Sequence, residues 1–428
     1  MLRILAMIFT GIIVSFYYFP FEFSFLPGLN TKMGLAVVGI LLAILNLMEK
    51  REVKFPRNLL TLEVLAVFVS LVALVSVIIN NTSDYAYATY FVSMTVWISG
   101  AYAVCSLIKK VNNNLSVDNL TVYITCVCVA QCMLALIIDS SVSVKLIVDT
   151  YILQGQEFLT EVDRLYGVGA SLDTAGVRFS ACLIMVVYVI NKNKSQMSSV
   201  LLFISIVAYV FIAVVGNMVA RTTMVGVGLS LFYALLTFRP ENVSRSFFRV
   251  LRVLLMTLVL VVPLCMYLYD TNLQFYQLIR FAFEGFFNWA EKGQWEIGSN
   301  EELKTMIVFP DNFKTWLIGD AYFFNAYMDP YYLGESLTPY YMGTDIGYLR
   351  FIFYFGIIGL IVFSFFFVLT ARECITMLPE FRLLILFILV LGFVIWLKVA
   401  TDVFLVFALL LCVGNMQDET PQLEEEEV

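Results

Sequence analysis

The sequence predicts an all-α polytopic integral membrane protein, and three observations carry that prediction. Of its 428 residues, 61% are hydrophobic and 14% are charged, where a soluble domain is about half apolar and a quarter charged. The mean hydropathy is +0.88. The apolar residues are gathered into runs close to the roughly 20 that a membrane-crossing helix needs. Twelve such runs lie near 2–19, 33–48, 59–79, 88–108, 120–138, 175–191, 199–217, 222–238, 250–269, 346–370, 383–398 and 401–415.

Taken in order, residues 1–138 read as a five-helix membrane region. The run Met1–Tyr18 lacks a small-x-small cleavage site and leads into Pro20, so it reads as a first span rather than a signal peptide. Residues 139–174 form a first large loop, and 175–269 carry helices six to nine. The apolar stretch 199–238 is too long for one helix. Gly216, Asn217 and Arg221 stand at its middle, which predicts a tight helical hairpin. Residues 270–345 form the one long polar stretch, read as a large, partly helical periplasmic loop between spans nine and ten. Residues 346–415 carry helices ten to twelve, and 416–428 an acidic, disordered cytoplasmic tail.

Lysine and arginine set the expected orientation. Lys50, Arg51, Lys54, Arg57, Lys109, Lys110, Lys192, Lys194, Arg239, Arg245, Arg249, Arg372 and Arg382 mark one set of loops. The opposite short loops carry few. Both termini are therefore expected in the cytoplasm, with 139–174, the hairpin tip at Arg221 and 270–345 outside. In a bacterium that is the periplasmic face of the inner membrane. No 20–50-residue repeat and no inverted pair of broken helices is visible.

The chain contains no histidine, which removes imidazole bases, ligands and triads. Its eight cysteines fall mostly in apolar runs and none lies in the long loop. A disulfide framework or cysteine metal site is not expected. The cluster Cys126, Cys128 and Cys132 reads as small hydrophobes on a membrane helix. No metal or cofactor is implied.

Five arginines depart from the positive-inside pattern: Arg164, Arg178, Arg221, Arg280 and Arg350. Three of them have a structural reading as well. Arg221 could snorkel to the interface, and Arg178 and Arg350 could pair with Asp173 and Asp345. Together, five cations on one face favour binding an anion. Guanidinium grips phosphate oxygens in a fork and stays charged, so a phosphate or diphosphate fits best. Most of the acids scattered through the loop read as solvated surface, and Ser299–Glu302 as a helix capping box. The segment Leu273–Trp289 has an amphipathic pattern. The tyrosines between 322 and 341 are denser than an interfacial belt needs and suit stacking on sugars.

Three segments resemble the superfamily of Wzy-type O-antigen polymerases and O-antigen ligases. Arg164-Leu165-Tyr166-Gly167-Val168-Gly169-Ala170-Ser171-Leu172-Asp173 resembles the family's external Arg–Gly loop motif. Gly216-Asn217-Met218-Val219-Ala220-Arg221 resembles the hairpin that opens the shared core. Leu317-Ile318-Gly319-Asp320, with Thr344-Asp345-Ile346-Gly347-Tyr348-Leu349-Arg350 and the Gly-x-x-Gly helix at Gly356 and Gly359, resembles the core's end. The resemblance spans about 160–365.

It implies a glycosyltransferase that polymerises undecaprenyl-diphosphate-linked oligosaccharides into O-antigen or a related surface polysaccharide of the lipopolysaccharide class. The partners would be these lipids, the bilayer and a chain-length regulator, with no nucleic acid. Carried over, Arg164 and Arg221 would bind the diphosphate, with Arg178, Arg280, Arg350, Asp173 and Asp320 as further substrate contacts. Asp345 stands where the ligases have histidine and could take the acceptor's proton, or serve as an ion pair or helix cap. Tyr348 could position a sugar or simply pack. A ligase-type transferase is the near alternative, and a transporter or lipid flippase the alternative of another class.

Overall fold

The computed structural model describes residues 2–50, 56–154, 159, 164–237, 245–325 and 339–418. Arg51, Lys54, Arg239, Tyr327, Asp329, Tyr331, Tyr332, Glu335 and the tail from residue 419 lie outside the described residues.

The described chain is almost wholly helical. In order the helices are α1 (Leu2–Tyr18), α2 (Thr31–Lys50), α3 (Arg57–Asn80), α4 (Tyr90–Asn112), α5 (Val117–Ser140), α6 (Val142–Tyr151), α7 (Leu172–Asn193), α8 (Ser199–Val219) and α9 (Thr223–Leu236). They continue as α10 (Arg245–Thr271), α11 (Leu273–Ala282), α12 (Glu284–Lys292), α13 (Gly298–Thr305), α14 (Phe313–Ile318), α15 (Gly347–Met377), α16 (Arg382–Ile395) and α17 (Phe404–Asp418). Two two-residue strands, Glu22–Phe23 and Ile152–Leu153, pair antiparallel. Helix starts follow their polar caps: Ser116, Ser198, Asn272 and Asn312 each accept a backbone N–H three residues on.

Among the described residues eight helices, not twelve, are long and apolar enough to cross a membrane. All twelve expected segments contain helix, but four of the helices run only 14 to 17 residues. At about 1.5 Å per residue, the 14-residue ones reach about 21 Å against a core of about 30 Å. The apolar run 383–415 shows why. It folds into two short helices separated by a turn, where Asp402 accepts from Phe404 N–H at 2.9 Å. Every residue from Val403 to Val413 is then buried by protein. Such a run is core rather than a lipid-facing span. The long stretch after residue 270 is partly helical, carrying α11 to α14. The expected capping box at Ser299–Glu302 does not form: α13 starts after Ile297 with no side-chain cap, and Glu301 pairs with Lys304 at 2.6 Å.

The chain divides into two compact units, each assembled from distant pieces. Unit 1 is Met1–Leu35 with Val104–Trp295, and unit 2 is Ala36–Ala103 with Glu296–Val428. In unit 1 the hairpin α8–α9 packs closely on α7. A Cβ on Gly226 would lie 2.2 Å from Ser180 Cα, and one on Gly176 1.9 Å from Thr222 Oγ1. Only glycine lets these backbones approach so nearly. All eight cysteines are free thiols.

Unit 2 is built on α15, which is broken rather than continuous. Phe355 and Gly356 leave helical geometry, Gly356 at φ +69°. The short helix α14 docks against the break. Asp320 N–H donates to Phe353 O at 2.6 Å and Ala321 N–H to Tyr354 O at 3.0 Å. Ser76 Oγ also donates to Tyr354 O, at 2.9 Å. Carbonyls freed by the break are thus paired inside protein, as irregular backbone at membrane depth requires. Tyr87 and Trp396 pack on Phe351, Phe363 and Phe367 of α15 to form an aromatic core.

Candidate functional site

Unit 1 brings together two of the arginines that the sequence singles out. Arg221 occupies the tip between α8 and α9, which is pinned by hydroxyls. Thr223 Oγ1 donates to Gly216 O at 2.9 Å, and Ser180 Oγ donates to Thr222 O at 2.9 Å. Gly226 N–H donates to Ser180 Oγ at 3.1 Å. Arg164 opens the segment 164–171, which is fastened separately. Tyr166 OH donates to Asp149 at 2.8 Å, Val168 N–H to Gln131 Oε1 at 2.9 Å and Gly169 N–H to Gln154 Oε1 at 2.7 Å. Gly169 sits at φ +69°, where a Cβ would come 2.4 Å from Phe19 O.

The third element is the junction of α11 and α12. The guanidinium carbons of Arg164 and Arg221 lie 4.3 and 4.0 Å from the centre of the Phe281 ring. Arg221 Nε also donates to Phe281 O at 3.0 Å, and its Nη2 meets Glu284 Oε2 at 2.7 Å. Asn217, fully buried, donates to Ala282 O at 2.5 Å. Burial pulls the Arg221 guanidinium below its ordinary value; Glu284 opposes this and the like charge of Arg164 adds to it. The two cations share one ring, and one of them, Arg221, also meets a carboxylate. Beside it opens a cavity of about 390 Å³ lined by Asp139, Arg164, Met218, Gln274, Gln277, Leu278 and Phe281.

The other unit 1 candidates serve elsewhere. Arg280 forms a two-pronged bridge to Glu291, with contacts of 2.5 and 2.8 Å, and stacks on Phe287 at 4.8 Å. It ties α11 to α12 with its fork already occupied. The Arg178 guanidinium lies 5.7 Å from the Phe19 ring, and its carbonyl accepts from Tyr18 OH at 2.9 Å. Asp173 sits in the first turn of α7.

Asp345, Arg350, Tyr348 and Asp320 fall in unit 2, where each has a structural contact. Arg350 is only 6% exposed. It lies 3.7 Å from the Phe323 ring centre and 4.5 Å from that of Tyr340, and donates to Phe323 O at 3.0 Å. Its contact with Asp345 is 3.4 Å. The ion-pair reading of Asp345 is therefore the one the geometry displays, and Ile346 rather than Asp345 holds the cap position of α15. Tyr348 OH donates to Phe393 O at 3.0 Å, with the ring against Trp396. Asp320 accepts from Lys314 at 2.9 Å and Thr315 at 2.7 Å.

Sequence reasoning missed Phe281, Glu284, Asp139, Gln274 and Gln277. For those on α11 and α12 the one local signal is the amphipathic pattern of 273–289, which puts Gln274, Gln277 and Phe281 at helical spacing; Asp139 has none.

Fold and composition define a polytopic, largely helical membrane protein. No protein-family model, no curated protein and no solved structure matches the chain.

Proposed function

We propose that the protein polymerises undecaprenyl-diphosphate-linked oligosaccharide repeat units at the periplasmic face of a bacterial inner membrane, as the Wzy-type polymerases it resembles do. The observation that carries this reading is the meeting of Arg164 and Arg221 on the Phe281 ring. The two come from the two sequence segments that resemble the family's arginine motifs. Their guanidinia would bind the donor's diphosphate and stabilise charge building on it as the sugar–oxygen bond breaks. For scale, removing a single preorganised hydrogen-bond donor from a developing oxyanion costs roughly 2.7–4 kcal/mol, or about 10²–10³ in rate.

The test is replacement of Arg164 or Arg221 by alanine in the producing cell. The expected result is normal protein level with the surface glycan reduced to single repeats. Wild-type chain-length ladders from both variants would overturn the reading. A ligase relative would instead leave no repeat on the acceptor lipid when the protein is lost. The transporter or flippase reading has one observation on its side, the broken membrane helix at Gly356. Reconstituted vesicles that move the lipid-linked sugar without lengthening it would favour it.

A further inference from the structure

The cavity beside the arginine pair contains a carboxylate that diphosphate binding does not use. Asp139 lies in the last turn of α5, and its Oδ2 accepts from Gln274 Nε2 at 2.6 Å. Its main-chain carbonyl faces the same amide at 3.4 Å. Gln274, Gln277 and Phe281 recur along one face of α11, and Arg164 lines the same space. One small cavity thus joins a carboxylate, two carboxamides, an aromatic ring and a guanidinium. Its volume of about 390 Å³ is near the lower end of ordinary small-ligand pockets, about 300–1,000 Å³. Carboxylate and carboxamide groups supply the mixed acceptors and donors that neighbouring sugar hydroxyls pair with.

We propose that this cavity receives the acceptor sugar ring and that Asp139 takes the proton from its attacking hydroxyl. The proposal rests on the polymerase reading and replaces Asp345, which faces Arg350, as the base. The bonds balance. The acceptor oxygen forms a bond to the anomeric carbon of the donor. The bond from that carbon to the diphosphate oxygen breaks, and its electron pair leaves with the diphosphate beside Arg164 and Arg221. The hydroxyl proton passes to the Asp139 carboxylate and then to water.

The experiment uses the full-length protein in lipid nanodiscs and, as substrate, the polyprenyl-diphosphate oligosaccharide extracted from cells lacking the protein. Asp139→Asn is expected to lose at least about 100-fold in kcat with KM for the lipid substrate within about threefold. Asp139→Ala is expected to regain polymer formation when formate is supplied as a diffusible carboxylate. Wild-type turnover by Asp139→Asn overturns the proposal. So does a folded Asp139→Ala that formate does not rescue, an arm that holds even if the asparagine variant fails to fold. A wild-type protein that forms no polymer overturns the polymerase reading instead.

Discussion

Phe281 carries two guanidinium groups on one ring. Each cation–π contact contributes about 0.5–2 kcal/mol, and Arg221 also meets Glu284 at 2.7 Å. A diphosphate bound there, as proposed, would add counter-charge beside both guanidinia. Arg280, one residue before Phe281, has the opposite fate. Its fork is filled by Glu291, which holds the Glu291 carboxyl below its ordinary range. A depressed carboxyl contributes stability that is present above its unfolded value and lost as pH falls through the folded one. The α11–α12 junction is therefore expected to loosen on acidification below about pH 4.5. Hydrogen exchange of the α12 amides checks this: wild type should lose protection on acidification, and Glu291→Gln should show lower protection with no such step. Identical profiles would count against the bridge. Of these residues, Arg164 and Arg221 were legible as arginines on the wrong side of a charge pattern. Phe281 and Glu284 were not, because an aromatic and an acid in an amphipathic segment carry no local mark of what meets them.

At the scale of elements, the break in α15 governs unit 2. Gly356 stands at φ +69°, and a Cβ there would approach Leu317 O to 2.1 Å. Gly319, on the docked segment, stands at φ +75° and would meet Tyr354 in the same way. Gly356→Ala is expected to destabilise the protein by about 2–4 kcal/mol through left-handed strain and displacement of α14. Thermal unfolding in detergent should show it as a clear drop in Tm, whereas an unchanged Tm would mean that α14 does not need the break. The Gly-x-x-Gly pattern was readable, but as part of one continuous helix. Hydropathy reports burial averaged over a window, and a two-residue break between two apolar halves leaves the average almost unchanged. The α8–α9 hairpin was legible for the opposite reason: its apolar run is too long for one span, and polar residues interrupt it.

At the scale of the whole molecule, eight helices among the described residues are long and apolar enough to cross a bilayer, and others are apolar but shorter. The proposed polymerase needs its arginine pair on the periplasmic side, the side on which the lysine and arginine pattern leads one to expect it. Alkaline phosphatase fused after residue 300 should be active, and after residue 194 inactive, with a cytoplasmic fluorescent reporter giving the reverse. The opposite result would reverse the orientation and remove the site from the proposed face. The two units also show what a linear reading misses. Each is assembled from separated stretches, with the boundary at Trp295 inside the long polar segment, where neither composition nor punctuation changes sharply.

The membrane class, the positions of most helices and the suspicion attached to Arg164 and Arg221 were determined by the sequence alone. Each rests on a local quantity: apolar transfer energy summed over about 20 residues, a capping side chain, or a charge at a span's edge. Tertiary structure decided which apolar helices are buried by protein, where α15 breaks, and that Phe281, Glu284 and Asp139 join the arginines. Those outcomes depend on close approach between segments tens to hundreds of residues apart, and no local window contains both partners of such a contact.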